Sequence, residues 1–215
     1  MLYRLREHAN GAWQTEKERV MRKLMIVSFL LVAGIMGAVS SAQAGEIQVG
    51  PGSDLAASSF DHAGEKLNID KSSAAALTAG TYDVVDFEYL AGATVGDVQP
   101  FLAIEIATDT FSVIWIGGIN TSSGVAGVQN VLFAAGTERF TLDDDATVFA
   151  GFNVSDNVIP FGGGTTAHAI SANWDLEVGS VMAPSYFYRT SLGRSYAFEI
   201  NVETAPSLDL VLFTK

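Results

Sequence analysis

The sequence predicts an all-β protein, a two-sheet antiparallel β-sandwich preceded by an N-terminal signal helix, and three observations carry that prediction. Beyond residue 44 hardly any stretch shows an apolar period of 3.6; short runs of Val, Ile, Phe, Tyr and Thr recur instead, about 8 to 15 residues apart, between breaks of Gly, Asn, Asp and Ser. The clearest of these runs alternate apolar and polar residues with a period of two. The one long apolar run, Leu24 to Val39, stands near the start, behind Met21-Arg22-Lys23 and ahead of Ser40-Ser41-Ala42-Gln43-Ala44-Gly45.

That run has a cationic flank, an apolar core of about 15 residues and a small-x-small site after Ala44, the three parts of a secretory leader. Met1 to Val20 is polar and charged, so either Met21 is the start or the flank is extended. The competing reading is an uncleaved membrane anchor, because Leu24 to Gly45 carries no charge and about 20 apolar residues span a bilayer. Gly34 and Gly37 late in the run, with the small residues Ala42 and Ala44, favour cleavage. The expected organisation is an N-terminal extension and signal peptide over 1–44, a linker over 45–66 and a β-sandwich domain over 67–215, in a protein that is secreted, periplasmic or on the cell surface.

Cleavage after Ala44 would leave 171 residues, enough for one domain with a sizeable core. The first 44 residues hold three of the 24 acids and six of the 12 basic residues, so the remainder carries 21 acids against six bases, near −15. Such a surface repels nucleic acid and anionic lipid, which excludes the first as a partner and the membrane after signal cleavage. The sequence has no cysteine, so neither a lipid-modified cysteine nor a disulfide is available. That fits a bacterial exoprotein with an ample core better than a small stapled domain.

The first clear strand is Thr81 to Leu90, where Tyr82, Val84, Asp86 and Glu88 alternate against Asp83, Val85, Phe87 and Tyr89; Val85, Phe87 and Tyr89 form the apolar face. Phe101 to Ala107 and Phe111 to Ile116 read as a hairpin across Thr108-Asp109-Thr110, apolar almost throughout, as strands covered on both faces are. Val128 to Ala134, Glu138 to Leu142 and Thr147 to Val154 follow, broken at Gly136 and at Asp143-Asp144-Asp145. Arg194 to Val202 is another long strand, and Leu208 to Phe213 a terminal one. Eight to ten strands in one domain imply two packed sheets. Gly96 to Phe101 and Asp156 to Phe161 share an Asp, a Val and a Pro-Phe pair about 60 residues apart, a match short enough to arise by chance.

Leu77-Thr78-Ala79-Gly80-Thr81-Tyr82-Asp83-Val84, with Phe87 and Tyr89 after it, resembles the first strand of jelly-roll-like β-sandwich modules in exported bacterial proteins. Pro100-Phe101-Leu102-Ala103 and Gly193-Arg194-Ser195-Tyr196-Ala197-Phe198 are similar to their inner and closing strands. The resemblance spans about residues 67–202 and implies a fold, not a chemistry; no functional residue carries over. The Pro-Glu-Pro sorting signal of many such proteins is missing from this sequence.

Catalysis finds little footing. His62 and His168 are the histidines beyond residue 44, no Gly-x-Ser-x-Gly turn precedes a helix, and neither His-x-His nor His-Glu-x-x-His occurs. Glu105 is the interesting carboxylate, because it interrupts an apolar strand where an unpaired charge is costly to bury. It is expected to face solvent or pair with Arg139 or Arg194; the functional alternative is a carboxylate lining a sugar or metal site. Asp143, Asp144 and Asp145 put clustered oxygens on a turn and make calcium the one cofactor the sequence raises, although the Asp-x-Asp-x-Asp-Gly spacing of a calcium loop is missing. Consecutive aspartates also form hairpin tips that discourage edge pairing. Trp174, Tyr186 and Tyr188, with Asp175 alongside, lie in loop-like sequence, where such rings either cap the end of the sandwich or stack on a sugar, whereas Trp115 sits mid-strand and belongs to the core. The expected function is a non-catalytic binding or structural exoprotein whose partner is an extracellular glycan or another surface protein. A carbohydrate-binding module and a small glycan-active enzyme are the alternatives.

Overall fold

The computed structural model describes residues 45–60, 67–71, 73–163, 167–170, 175–183 and 193–206. All belong to the compact unit Ala44–Lys215. The signal helix and the strand expected over Leu208 to Phe213 lie outside the described residues.

The described residues form fifteen strands, β1 to β15 in chain order, and no helix. One sheet runs β1 (Ile47–Val49), β15 (Phe198–Thr204), β4 (Gly80–Ala91) and β8 (Gly127–Leu132), with β9 (Arg139–Leu142) also on β4. A larger sheet runs β12 (Ala167–Ile170), β2 (Leu67–Asp70), β10 (Ala146–Val154), β5 (Asp97–Ala107), β6 (Thr110–Ile116) and β13 (Val181–Met182). In it β3 (Ala75–Leu77) also borders β10, and β7 (Asn120–Thr121) also borders β5. β11 (Phe161–Gly163) and β14 (Arg194–Tyr196) make a separate pair. The pairings are antiparallel, as the two-residue patterning predicts.

Strand β4 carries the expected alternation with one correction. Asn201 stands opposite Asp86 and Val202 opposite Val84, so Val85 has no partner on β15. This bulge shifts the phase by one residue. Tyr82 and Val84 on one side of it, and Phe87 and Tyr89 on the other, thereby share the core, while Val85 is half-buried. The backbone shows the same break: Val84 N–H donates to Glu138 O at 2.8 Å, and Val85 O accepts from Phe133 N–H at 2.9 Å.

The β5–β6 hairpin closes at Thr108–Asp109, with Asp109 in the left-handed region at φ 52°. Pro100, inside β5, falls where the neighbour changes from β7 to β6, so its missing N–H removes no ladder bond there. The strand expected over Arg194 to Val202 is two strands. It breaks at Ala197, whose N–H donates to Pro160 O at 3.1 Å while its carbonyl accepts from Leu90 N–H at 2.9 Å. Tyr196 consequently pairs with Phe161, and Phe198 with Tyr89. Ile47–Val49 lies in the stretch expected as a linker, yet pairs with β15 from Val202 to Ile200. The two Pro-Phe segments are not equivalent: one starts an 11-residue strand, the other leads by bends into β11. They lie side by side, and a Cβ on Gly96 would stand 2.7 Å from Val158.

The main core draws Phe87, Tyr89, Phe198, Ile200 and Val202 from the smaller sheet and Val98, Leu102, Trp115, Val148 and Phe152 from the larger. Phe152 crosses Tyr196 and Phe198 edge to face at centroid distances of 5.1 and 5.0 Å. A second cluster of Leu67, Ile69, Phe101, Phe111, Phe149 and Met182 occupies the other side of the larger sheet. Strands β5, β6 and β10 are therefore apolar on both faces, which is why they read as nearly continuous hydrophobic runs. Each fully buried Phe, Leu or Ile among these is worth about 1.5–3 kcal/mol relative to exposure.

Candidate functional site

A cleft of about 620 Å³ opens where the β5–β6 hairpin meets the β9–β10 turn. Its lining includes Ile104 and Glu105 from β5, Ile114 from β6, Asp143, Asp144 and Asp145 from the turn, and Phe149 from β10. Two groups that the sequence offers separately, Glu105 and the aspartate triplet, thus share one cavity. Pairing of β10 with β5, Val148 opposite Ile104 and Phe149 opposite Ala103, brings them together.

Glu105 is paired, but not with either arginine. Its Oε1 accepts from Lys71 Nζ at 2.9 Å and from Asp109 N–H at 2.8 Å, and Lys71 Nζ reaches Asp109 Oδ1 at 2.9 Å. The ammonium also lies 5.4 Å from the centre of the Phe111 ring. Burial opposes ionisation of Glu105, but the bonds from Lys71 and Asp109 N–H outweigh it and hold the carboxyl below its ordinary value. Lys71 follows the same logic: burial disfavours its charge, and the two carboxylates more than restore it, so its value is raised. Arg139 is engaged by Asp83, with Nε to Oδ1 at 2.6 Å and Nη2 to Oδ2 at 3.1 Å. Arg194 lies 4.2 Å over the Phe161 ring. Lys71 reaches Glu105 because it follows β2, which borders β10, which borders β5.

Asp143, Asp144 and Asp145 are exposed. Asp145 Oδ1 accepts from Ala79 N–H at 2.8 Å, which fixes the turn ahead of β4. Among the described residues no group of three or more His, Asp or Glu side chains is arranged to hold a metal ion. Trp174, Tyr186 and Tyr188 lie outside the described residues. Asp175 is exposed and lines a smaller pocket of about 220 Å³ with Asp97, Gln99, Asn153 and Ser155.

A second polar constellation escaped the sequence reading. On the smaller sheet Glu88 stands directly opposite Glu199, with Asp86 two residues along β4. Asn201 Nδ2 donates to Asp86 Oδ1 at 2.9 Å and to Glu199 Oε1 at 3.2 Å; Asn130 Nδ2 donates to Glu88 Oε2 at 3.2 Å. The Ser53 hydroxyl bonds Glu88, and Ser53 N–H donates to Glu199 Oε2 at 3.3 Å. Burial and then the charges of Asp86, Glu199 and Glu203 raise the carboxyl of nearby Glu46 above its ordinary value. The alternating acids of β4 and β15 were visible in the sequence; that these two strands are neighbours was not. No protein-family model matches the chain, and no curated protein matches it.

Proposed function

We propose that the chain is a secreted, non-catalytic binding protein, a jelly-roll-like two-sheet β-sandwich that holds a basic segment of another surface protein in the cleft between Glu105 and Asp143–Asp145. The cleft carries this reading. It combines apolar side chains, Ile104, Ile114 and Phe149, with the three exposed aspartates Asp143–Asp145 beside the Lys71-paired Glu105, so it suits a ligand bearing both an aliphatic stem and a positive charge, as lysine and arginine do. Glu105 supports binding over acid catalysis, because a carboxyl held ionised by an ammonium supplies fixed charge and is a poor proton donor. The shared core of the two sheets supports the sandwich, and the leader-like run from Leu24 to Val39 supports export.

The experiment is a titration of the full chain with a peptide of alternating leucine and lysine, followed by calorimetry at two salt concentrations. Binding should weaken about fivefold to tenfold in the Asp143→Asn/Asp144→Asn variant and weaken with salt. Equal affinity of the variant and the parent chain would remove the cleft as the site. Carbohydrate binding has its own observation in the pocket of Asp97, Gln99, Asn153, Ser155 and Asp175, whose amides, hydroxyl and carboxylates are the groups that bond sugar hydroxyls. A glycan array on the same protein tests it, and Asp175→Ala should abolish any signal that this pocket produces.

A further inference from the structure

We infer that β8 is the pairing edge of a symmetric homodimer, in which two copies of this chain join their smaller sheets strand to strand. The smaller sheet ends at β8, and among the described residues nothing pairs with its far side. The ladder fixes which groups face outward. Phe133 N–H bonds to Val85 on β4, and Val131 and Gln129 stand opposite Phe87 and Tyr89 in the same phase. By alternation the N–H and C=O groups of Val128, Asn130 and Leu132 point to the open edge. Leu90, opposite Val128, accordingly turns its own N–H away, to Ala197.

Exposed edges in monomers are normally blunted by charge, proline or a bulge, and this one has none of these. Its sequence, Gly127-Val128-Gln129-Asn130-Val131-Leu132, belongs to a run from 110 to 137 without a single charged residue, in a chain of net charge −12. Two copies that repel one another elsewhere therefore bring no charge of the edge strand itself to the junction; the nearest acids, Asp86 and Glu88, lie one strand back on β4. Of the nine large apolar side chains exposed among the described residues, Ile119, Val125, Val128 and Leu132 fall in this run, the last two 55% and 76% exposed.

The edge is also complementary to itself. A two-fold axis beside Asn130 sets Asn130 against its own copy and Val128 against Leu132 of the second copy at both ends, three pairs whose backbone groups all face the junction. Apolar meets apolar and amide meets amide. A strand of another protein added to the same edge is the competing occupant, and a dimer fraction that rises with the concentration of this chain alone separates the two. The junction is short, so dimerisation should be weak and concentration-dependent.

Sedimentation velocity of the full chain from micromolar to millimolar concentration tests this. The expected result is a rising dimer fraction that Val128→Lys/Leu132→Lys abolishes, because like charges then face each other across the junction. The variant should keep its melting temperature, since both side chains are exposed and residue 132 lies opposite Asp86 on β4. A protein that stays monomeric at millimolar concentration, or a folded variant that still dimerises, overturns the proposal. The chain has no cysteine, so a nitroxide on Leu132→Cys reports the junction alone. A short distance between labels in the dimer supports β8, and labels far apart place the contact elsewhere and contradict it.

Discussion

Lys71 Nζ stands 2.9 Å from Glu105 Oε1, joining two residues 34 positions apart across three neighbouring strands of one sheet. Both side chains are mostly covered, at 20% and 27% exposure, so the pair is screened less than a surface pair but still reached by solvent. Glu105→Gln should cost about 0.5–1 kcal/mol, read as a melting-temperature loss of about 1–4 °C at neutral pH.

The pH dependence has a definite sign. Glu105 is more acidic folded than unfolded, so its contribution is complete above its ordinary value of 4.5 and fades as pH falls below it. Lys71 is the reverse, complete below 10.5 and fading above it. The gap in melting temperature between the parent chain and Glu105→Gln should therefore be constant from pH 6 to 9 and close towards pH 3. A gap that widened on acidification would contradict the pairing.

Gly151→Ala should destabilise the fold by about 1–3 kcal/mol, because the added methyl would lie 2.6 Å from the carbonyl oxygen of Asn68 and against the Phe101 ring. Urea unfolding gives the value directly. Phe152→Ala, which removes a ring packed against Tyr196 and Phe198, should cost more, about 3–5 kcal/mol.

Asn68→Leu should have the opposite effect. Asn68 is 1% exposed, and among the described residues neither its Oδ1 nor its Nδ2 has a hydrogen-bond partner. Replacing a buried unpaired amide with an apolar group of similar size should stabilise the fold by about 1–3 kcal/mol. A loss of stability in that variant would show that the amide is satisfied in solution, for instance by a buried water.

Period-two alternation made β4 and the short β9 legible, and nearly continuous apolar runs bounded by Gly or Asp did the same for the β5–β6 hairpin and β10. Strands β1, β2, β3, β7, β11, β12 and β13 were missed because two to four residues cannot by themselves establish a period. The break between β14 and β15 was invisible for a different reason. Alternation continues through Ala197, and only the exchange of neighbours from Phe161 to Tyr89 separates the strands. Half of the cleft was readable in the same way: Glu105 stood out as a charge within an apolar strand, and Asp143–Asp145 as a cluster. Their meeting, and the choice of Lys71 over Arg139 or Arg194, depends on the order β2–β10–β5, which no local pattern encodes.

Backbone amide shift mapping during titration of the ¹⁵N-labelled full chain with the leucine–lysine peptide tests the binding account most directly. Saturable shifts are expected at Ile104, Glu105, Ile114 and Thr141 to Thr147, reduced in Asp143→Asn/Asp144→Asn. Saturable shifts confined to other surfaces, or none up to millimolar peptide, would contradict it.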